Sequence, residues 1–191
     1  KLLCNSRKEK GLIMDNVFSR IIGNDYAHLP ESVREFHEVL NATYEGTAIV
    51  KGNQNIISRF IRRIFNFPIP AEVTAVTISI SRTTELDKWN RNFGGRKFSS
   101  SFAQNNVGKV FSESFGPFYF YFSLSVKADR LNWNFERWSL GILPLPKFLG
   151  PKIISWEGEG ENGGYRFFSE AHFPLLGELI YYDGTVFRKS A

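Results

Sequence analysis

The sequence predicts an α+β fold, in which two helices pack against a strongly curved antiparallel sheet or a partial β-barrel of seven to nine strands. Apolar and polar residues alternate through most of the chain after Val73, most clearly from Phe118 to Val126. The strands follow one another through tight turns, which favours antiparallel pairing. Phe, Tyr and Trp make up 16% of the chain, and such large rings favour strands around thick cores.

The chain has 191 residues, enough for one domain with a core of its own. We expect residues 14–191 to form this single domain. Residues 1–13 show little periodicity, and Met14 could be a native start. We therefore interpret residues 1–13 as a tail, a linker or a remnant of cloning that lies outside the fold.

The first predicted helix begins after Leu29-Pro30, where the acidic Glu31 suits the first turn of a helix. Its apolar stripe is formed by Val33, Phe36, His37 and Leu40. His37 is therefore expected on or beside the apolar face. It is either a core-edge histidine with a hydrogen-bond partner or a residue that transfers protons or contacts a ligand.

A strand over 43–51 precedes the second predicted helix, which Asn53 could cap and Phe67-Pro68 ends. The apolar stripe of this helix is formed by Ile56, Ile57, Phe60, Ile61, Ile64 and Phe65. Ser58 and three arginines lie outside the stripe. We expect the stripe to cover a sheet, whereas lying on a membrane surface is the alternative for a basic amphipathic helix.

The rest of the chain is predicted to be mostly strands. They cover 73–81, both arms of a hairpin around Gly94-Gly95, 107–115, 118–126, 131–137, 156–161, 165–173 and 178–187. Residues 141–155 carry three prolines and predict a loop with a short helix near 147–153.

The hairpin around Gly94-Gly95 carries the feature on which the functional prediction depends. A Gly-Gly pair suits a type I′ turn, because both central residues need a positive φ. The resulting register sets Trp89, Arg91 and Phe93 opposite Ser100, Phe98 and Arg96, with all six side chains on one face. Arginines among aromatic rings need a carboxylate, a stacked ring or an anionic ligand as a partner.

Arg137 repeats this pattern on another strand, because it takes the next alternating position after Trp133 and Phe135. We predict that these arginines bind the acidic head of a hydrophobic anionic small molecule, such as a fatty acid or a lipid-like metabolite, in a β-lined cup. The residues predicted to bind this ligand are Trp89, Arg91, Arg96, Phe98, Ser100, Phe120, Trp133 and Arg137. The alternative is an internal network in which the arginines pair with Glu113, Glu136 or Glu157.

We predict that the protein is a non-enzymatic binding module, and we assign no catalytic residue. An enzyme in the same cup is an alternative, with His37 or His172 as the candidate acid or base. A further alternative uses the alternating carboxylates of Glu157, Glu159 and Glu161 with Glu170 for acid–base chemistry. We expect these carboxylates to form a solvated strand edge instead.

Several classes of protein are excluded or disfavoured by the composition. The net charge of +5 is spread along the chain and no nucleic-acid motif accompanies it, so no nucleic-acid partner is expected. One cysteine and three separated histidines argue against a disulfide or a metal site. Without a phosphate-binding or dinucleotide-binding glycine motif we expect no cofactor. Without a long apolar run or a signal peptide we expect no transmembrane segment and a cytoplasmic location.

Several short motifs occur in a fixed order along the chain. They are Gly46-Thr47-Ala48-Ile49-Val50-Lys51-Gly52, Phe67-Pro68, Trp89-x-Arg91-x-Phe93-Gly94-Gly95, Glu113-x-Phe115-Gly116-Pro117, Gly141-Ile142-Leu143-Pro144-Leu145-Pro146 and Pro174-Leu175-Leu176-Gly177. With these motifs the chain resembles the bacterial domain of unknown function 4166 family over about residues 25–187.

In that family the domain occurs alone or fused to saccharopine-dehydrogenase-like NAD(P)-binding reductases. The resemblance therefore implies a reductase as a candidate partner, and an interaction module that docks onto a reductase is another alternative function. It implies no established activity and no catalytic residues. The family pattern leads us to expect an arginine at position 183, where this chain has Asp183.

Overall fold

The computed structural model describes residues 16–83, 87–104, 109–174 and 176–190. The predicted tail over residues 1–13 lies outside these ranges. The described strands are β1 (Asn41–Lys51), β2 (Ala71–Arg82), β3 (Asp87–Phe93), β4 (Arg96–Gln104), β5 (Val110–Phe115), β6 (Phe118–Lys127), β7 (Arg130–Leu140), β8 (Leu143–Leu145), β9 (Lys152–Glu159), β10 (Tyr165–Phe173) and β11 (Gly177–Arg188).

These strands form a closed antiparallel β-barrel. Ten of them follow one another around the ring in the order β6-β5-β4-β3-β2-β1-β11-β10-β9-β7, and pairing of β7 with β6 closes it. The short strand β8 extends from β7 beside the ring. The predicted α+β barrel class is confirmed, but the strand number was too low and the barrel is closed rather than partial.

The proline-rich segment explains part of the undercount. Residues 141–155 were predicted as a loop with a short helix near 147–153. They contain a short 3₁₀ helix at Lys147–Leu149, but also β8 and the first half of β9. Proline disfavours a central strand because it cannot donate to the ladder. Pro144 is tolerated because β8 is an edge strand that pairs only with β7.

Among the described residues, three α-helices accompany the barrel: α1 (Val17–Ile22), α2 (Glu31–Glu38) and α3 (Ile56–Ile64). Asn16 and Ser19 form a reciprocal capping box at α1, and the Asn55 side chain accepts a hydrogen bond from Ser58 N at the start of α3. Two helices were predicted, and α1 was missed. Within the described ranges, no helix has the length and apolar character that crossing a membrane requires.

The antiparallel order gives the barrel two distinct ends. The closed end holds α1, α2 and the connection from β6 to β7. The mouth holds α3, the turns at Gly94-Gly95 and Gly116-Pro117, and the segment between β7 and β9. Phe18 of α1 plugs the closed end, because its ring lies 5.5 Å from the Phe111 ring and 5.7 Å from the Trp133 ring.

The Gly94-Gly95 hairpin has the predicted register. Trp89 pairs with Ser100, Arg91 with Phe98, and Phe93 with Arg96. Gly94 and Gly95 have φ values of 55° and 92°, as a type I′ turn requires. One face of the hairpin is almost wholly buried and the other is largely exposed, so the alternation was assigned correctly.

Candidate ligand-binding site

The barrel encloses a cavity of about 370 Å³ between the closed end and the mouth. Aromatic rings form most of its wall, with Trp89 and Trp133 at the closed-end side and Phe118 and Trp138 at the mouth. Binding pockets for small molecules typically measure about 300–1,000 Å³ and combine apolar walls with a few polar groups. The size and lining of this cavity suit an apolar small molecule.

Arg91 of β3 is the one cation among the described residues that line this cavity. Its Nη1 donates to Ser100 Oγ at 2.6 Å, and its Nη2 lies 3.4 Å from Glu113 Oε1. The guanidinium carbon also lies 4.9 Å from the centre of the Trp89 ring. The 3.4 Å contact is longer than the 2.7–2.9 Å of a strong charge-assisted hydrogen bond, so Glu113 holds Arg91 only loosely.

Glu113 lines the cavity beside Arg91 and is buried. Burial raises the pKa of its carboxyl group, while the Arg91 charge and hydrogen bonds from Ser100 and Arg91 oppose that rise. The protonated form of Glu113 is therefore favoured more than in water. When Glu113 is protonated, Arg91 loses its ion-pair partner.

A second polar group in the wall is Glu157 of β9, which is buried and hydrogen-bonded to a histidine. Its Oε2 lies 2.5 Å from Nε2 of His37 on α2. His37 is fully buried behind Glu157 and does not line the cavity. Arg82 fixes the end of α2, because its Nη1 donates to the carbonyls of His37 and Val39.

Two tyrosines add hydroxyl groups to the lining, the buried Tyr165 and the half-buried Tyr182. Burial raises the pKa of Tyr165 well above its usual value, and the nearby Glu157 charge raises it further. Burial likewise raises the pKa of Tyr182. Both phenols therefore stay protonated at neutral pH, and they offer the cavity neutral hydroxyl groups rather than charges.

Five of the eight residues predicted to bind a ligand line the cavity, and one more lies directly behind it. The five are Trp89, Arg91, Phe98, Phe120 and Trp133. Ser100 is buried and accepts the hydrogen bond from Arg91, so it positions that guanidinium. Arg96 and Arg137 lie elsewhere.

The prediction that Arg137 points into the barrel is wrong. The pairing of β6 with β7 shifts register between Tyr121 and Phe122, because Glu136 is an extra residue on β7. This bulge turns Arg137 outward, where its guanidinium stacks at 3.9 Å over the Tyr121 ring. Trp138 takes the inward position and lines the cavity instead.

Arg96 lies at the rim of the mouth rather than in the cavity. It is the last paired residue beside the Gly94-Gly95 turn, and its Nη1 donates to Asn66 Oδ1 at 3.1 Å. The predicted face therefore delivers one arginine to the cavity, not two. That arginine is Arg91, and it forms the predicted ion pair with Glu113.

His172 lies away from the cavity, with a side chain that is 42% exposed and bonded to Glu170. Together with Glu178 these residues bring three potential metal-binding atoms within 4.8 Å of one another. No sequence motif predicts this group, because the three residues lie on two strands that meet at a β-bulge. Nothing else about the group points to a metal.

Glu157 is the functional candidate that the sequence interpretation misplaced. It was expected at a solvated strand edge with Glu159, yet it shares the inward face of β9 with Ile153 and Ser155. One signal was available: a histidine on the apolar face of a helix needs a buried acceptor, and Glu157 is that acceptor. Asp183, at the position where arginine was expected, pairs at 2.8 Å with Arg166 and does not line the cavity.

Comparison with curated proteins and with solved structures finds no significant match to the chain. The family described as Domain of unknown function (DUF4166) matches residues 29–186, which is most of the chain. The matched range begins just before α2 and ends in β11, so it includes every residue that lines the cavity. The chain belongs to the DUF4166 family.

Proposed function

We propose that the protein is a non-enzymatic binding module for a hydrophobic acidic small molecule, such as a fatty acid or a lipid-like metabolite. One observation carries the proposal: a closed barrel holds a cavity of about 370 Å³ whose aromatic wall is interrupted by a buried arginine. A wall of rings favours an apolar ligand, and a guanidinium favours a carboxylate or phosphate at one end of it.

The ligand would lie along the barrel axis with its acidic group at Arg91 and its apolar part toward the mouth. Glu113 competes with the acidic group of the ligand for Arg91, and its own contact with Arg91 is long at 3.4 Å. A ligand carboxylate beside Glu113 raises the pKa of Glu113 further, so Glu113 takes up a proton as the acid binds. Arg91 thereby exchanges one carboxylate partner for another without leaving a buried charge unpaired.

Binding can be followed by intrinsic fluorescence, because Trp89 and Trp133 are in the cavity wall. Titration with a long-chain fatty acid is expected to change this fluorescence saturably. Ala171→Phe places a ring in the cavity and should weaken binding about tenfold or more, a loss of about 1.4 kcal/mol. Ala103→Phe on β4, which does not line the cavity, is the matched control. No saturable change in the wild type would contradict the proposal.

Glu113 should also make the stability of the protein depend on pH. Its folded-state pKa lies above the usual value of 4.5, so between the two pKa values the folded protein binds more protons than the unfolded chain. The stabilising contribution is therefore fully present below the usual pKa and is lost as the pH rises through the raised one. Glu113→Gln should flatten this part of the profile of unfolding free energy, measured with urea at a series of pH values. An unchanged slope would count against the raised pKa.

A second candidate function is an enzyme in the same cavity, favoured by the buried pair of His37 and Glu157. The geometry makes Glu157 the group that faces a substrate, with His37 behind it as the positioning residue. As a base, Glu157 would remove a proton from an acidic C–H bond of the bound molecule. Deuterium incorporation into a bound 3-oxo acid in D₂O, lost in Glu157→Gln, would support this candidate. Recovery of the acid with no deuterium above the protein-free control would exclude this reaction.

A further inference from the structure

The helix α3 is turned with its apolar stripe toward solvent. Ser58 and Arg62, which the sequence places outside the stripe, are buried against the barrel. Ile56 is 83% exposed, Phe60 is 61% exposed and Ile64 is 60% exposed. The expectation that the whole stripe covers a sheet is wrong, since Ile61 and Phe65 alone of its members line the cavity. Exposed apolar patches of this kind mark interaction sites.

Hydrogen bonds hold α3 in this orientation. Arg62 donates from Nη1 to the carbonyl of Leu179 at 3.0 Å and from Nη2 to the carbonyl of Asn53 at 2.7 Å. The side chains of Asn53 and Asn55 both donate to the carbonyl of Leu176 at 3.2 Å. The polar side of the helix therefore fixes it to the barrel, and its apolar side remains uncovered.

A second apolar segment lies at the same end of the barrel. Between β7 and β9, Ile142 is fully exposed, Phe148 is 77% exposed and Leu149 is about half exposed. A chain of ring contacts connects this segment to α3: Phe65 lies 5.7 Å from Phe118, and Phe118 lies 6.3 Å from Trp138. Trp138 Nε1 then donates to the carbonyl of Pro146. We call six exposed apolar residues of these two segments the mouth patch: Ile56, Phe60, Ile64, Ile142, Phe148 and Leu149.

The two segments that carry the mouth patch contain basic residues only, whereas the acidic Glu72 and Glu178 lie on the neighbouring strands β2 and β11. Residues 51–71 and 138–156 contain lysines and arginines but no aspartate or glutamate. The exposed cations among them are Lys51, Arg59, Arg63, Lys147 and Lys152. A helix with an exposed apolar face flanked by cations, next to a second apolar segment, is typical of a surface that lies in the interface of an anionic bilayer.

We propose that the mouth patch docks on the surface of an anionic lipid bilayer. The rings and aliphatic side chains of the patch enter the boundary between headgroups and acyl chains, while the flanking cations contact lipid phosphates. Ile61 of α3 and Phe65, which directly follows the helix, line the cavity, so the docked surface adjoins the mouth of the site. The next step rests on the proposed function: an acidic lipid passes between the bilayer and the cavity through that mouth.

Co-sedimentation of the full chain with lipid vesicles tests the docking. We expect binding to vesicles of phosphatidylcholine mixed with phosphatidylglycerol, weaker binding at high salt, and little binding to phosphatidylcholine alone. Phe60→Glu combined with Phe148→Glu should lower the partition constant at least tenfold. Leu40→Glu is the matched control, because Leu40 is about half exposed at the closed end. Thermal unfolding confirms that each variant is folded.

A second pair of variants tests whether docking on anionic vesicles requires the cations beside the mouth patch. Arg63→Glu at the mouth should weaken binding to the anionic vesicles several-fold, whereas Lys127→Glu at the far end of β6 should leave it unchanged. Equal binding by all variants, or no binding to anionic vesicles, would overturn the proposal. It would also be overturned by a dimer of the chain, or a stable complex with a reductase, that Phe60→Glu disrupts in place of vesicle binding.

The docking and the proposed function can fail separately. Fluorescence titration with a fatty acid needs no vesicles, so it reports on the cavity alone. Vesicle binding without saturable fatty-acid binding would leave the docking in place and remove the proposed function. Fatty-acid binding without vesicle binding would overturn the docking and leave the proposed function standing.

Discussion

Arg91→Met is expected to abolish binding of fatty acids and to lower the free energy of unfolding by about 3 kcal/mol. The substitution removes the cation from the cavity wall and leaves the carboxyl group of Glu113 buried without its ion-pair partner. Protonation of Glu113, whose pKa is already raised, limits the cost to the lower part of the range for broken buried pairs. Fluorescence titration and urea unfolding measure the two effects.

Two further variants separate the loss of binding from the loss of stability. Arg91→Met combined with Glu113→Gln removes both charges and should recover most of the lost stability, but it should still not bind the acid. Arg137→Met on the outer surface should change neither property by more than about 0.5 kcal/mol. Acid binding that survives in the double variant would contradict the role of Arg91.

Phe18→Ala is expected to lower the free energy of unfolding by about 3–5 kcal/mol, the cost of removing a fully buried ring. Phe18 is the residue by which α1 plugs the barrel. Its ring lies within 6.1 Å of the rings of Trp89, Phe102, Phe111 and Trp133, and 3.9 Å from that of His37. Because four strands contribute these neighbours, the cavity left by the substitution cannot be filled by a local movement.

Phe148→Ala is the matched control, because it removes the same ring from an exposed position in the mouth patch. Its effect on the free energy of unfolding should stay within about 0.5 kcal/mol. Urea unfolding monitored by circular dichroism measures both variants. Similar losses for the two phenylalanines would contradict the assignment of α1 as the plug of the closed end.

Local rules predicted much of the sheet. The Gly94-Gly95 turn determined the register of its hairpin because only glycine takes a positive φ easily at both central positions. The alternation around that turn then identified Trp89, Arg91 and Phe98 correctly as inward residues. The stripe of the first predicted helix likewise placed His37 on or beside the apolar face, and the structure buries it fully.

The remaining features depend on contacts between distant segments. A single extra residue on β7 reversed the direction of Arg137, and alternation cannot reveal a bulge of this kind. Closure of the ring requires the first strand, β1, to pair with the last, β11, and β9 to pair with β7, which no local pattern specifies. The orientation of α3 was misjudged because buried hydrogen bonds of Arg62 outweigh the packing of an apolar stripe.

The site was therefore predicted correctly where local patterns determine it. The prediction was incomplete where the site depends on contacts between distant segments. Arg91 and Glu113 were identified together as a candidate pair, and the structure joins them. Glu157 was placed at a solvated edge, because its partner His37 lies 120 residues away on α2. Burial of a carboxylate depends on such a partner and cannot be judged from its own strand.

Native mass spectrometry with a fatty acid and the matching fatty alcohol tests the central claim most directly. The two ligands share the apolar chain and differ in the charged group that Arg91 would bind. The wild type should bind one molecule of the acid, and Arg91→Met with Glu113→Gln should lose the acid while keeping the alcohol. An acid complex that persists in the double variant, or a wild type that binds neither ligand, would contradict a cavity built for a hydrophobic acid.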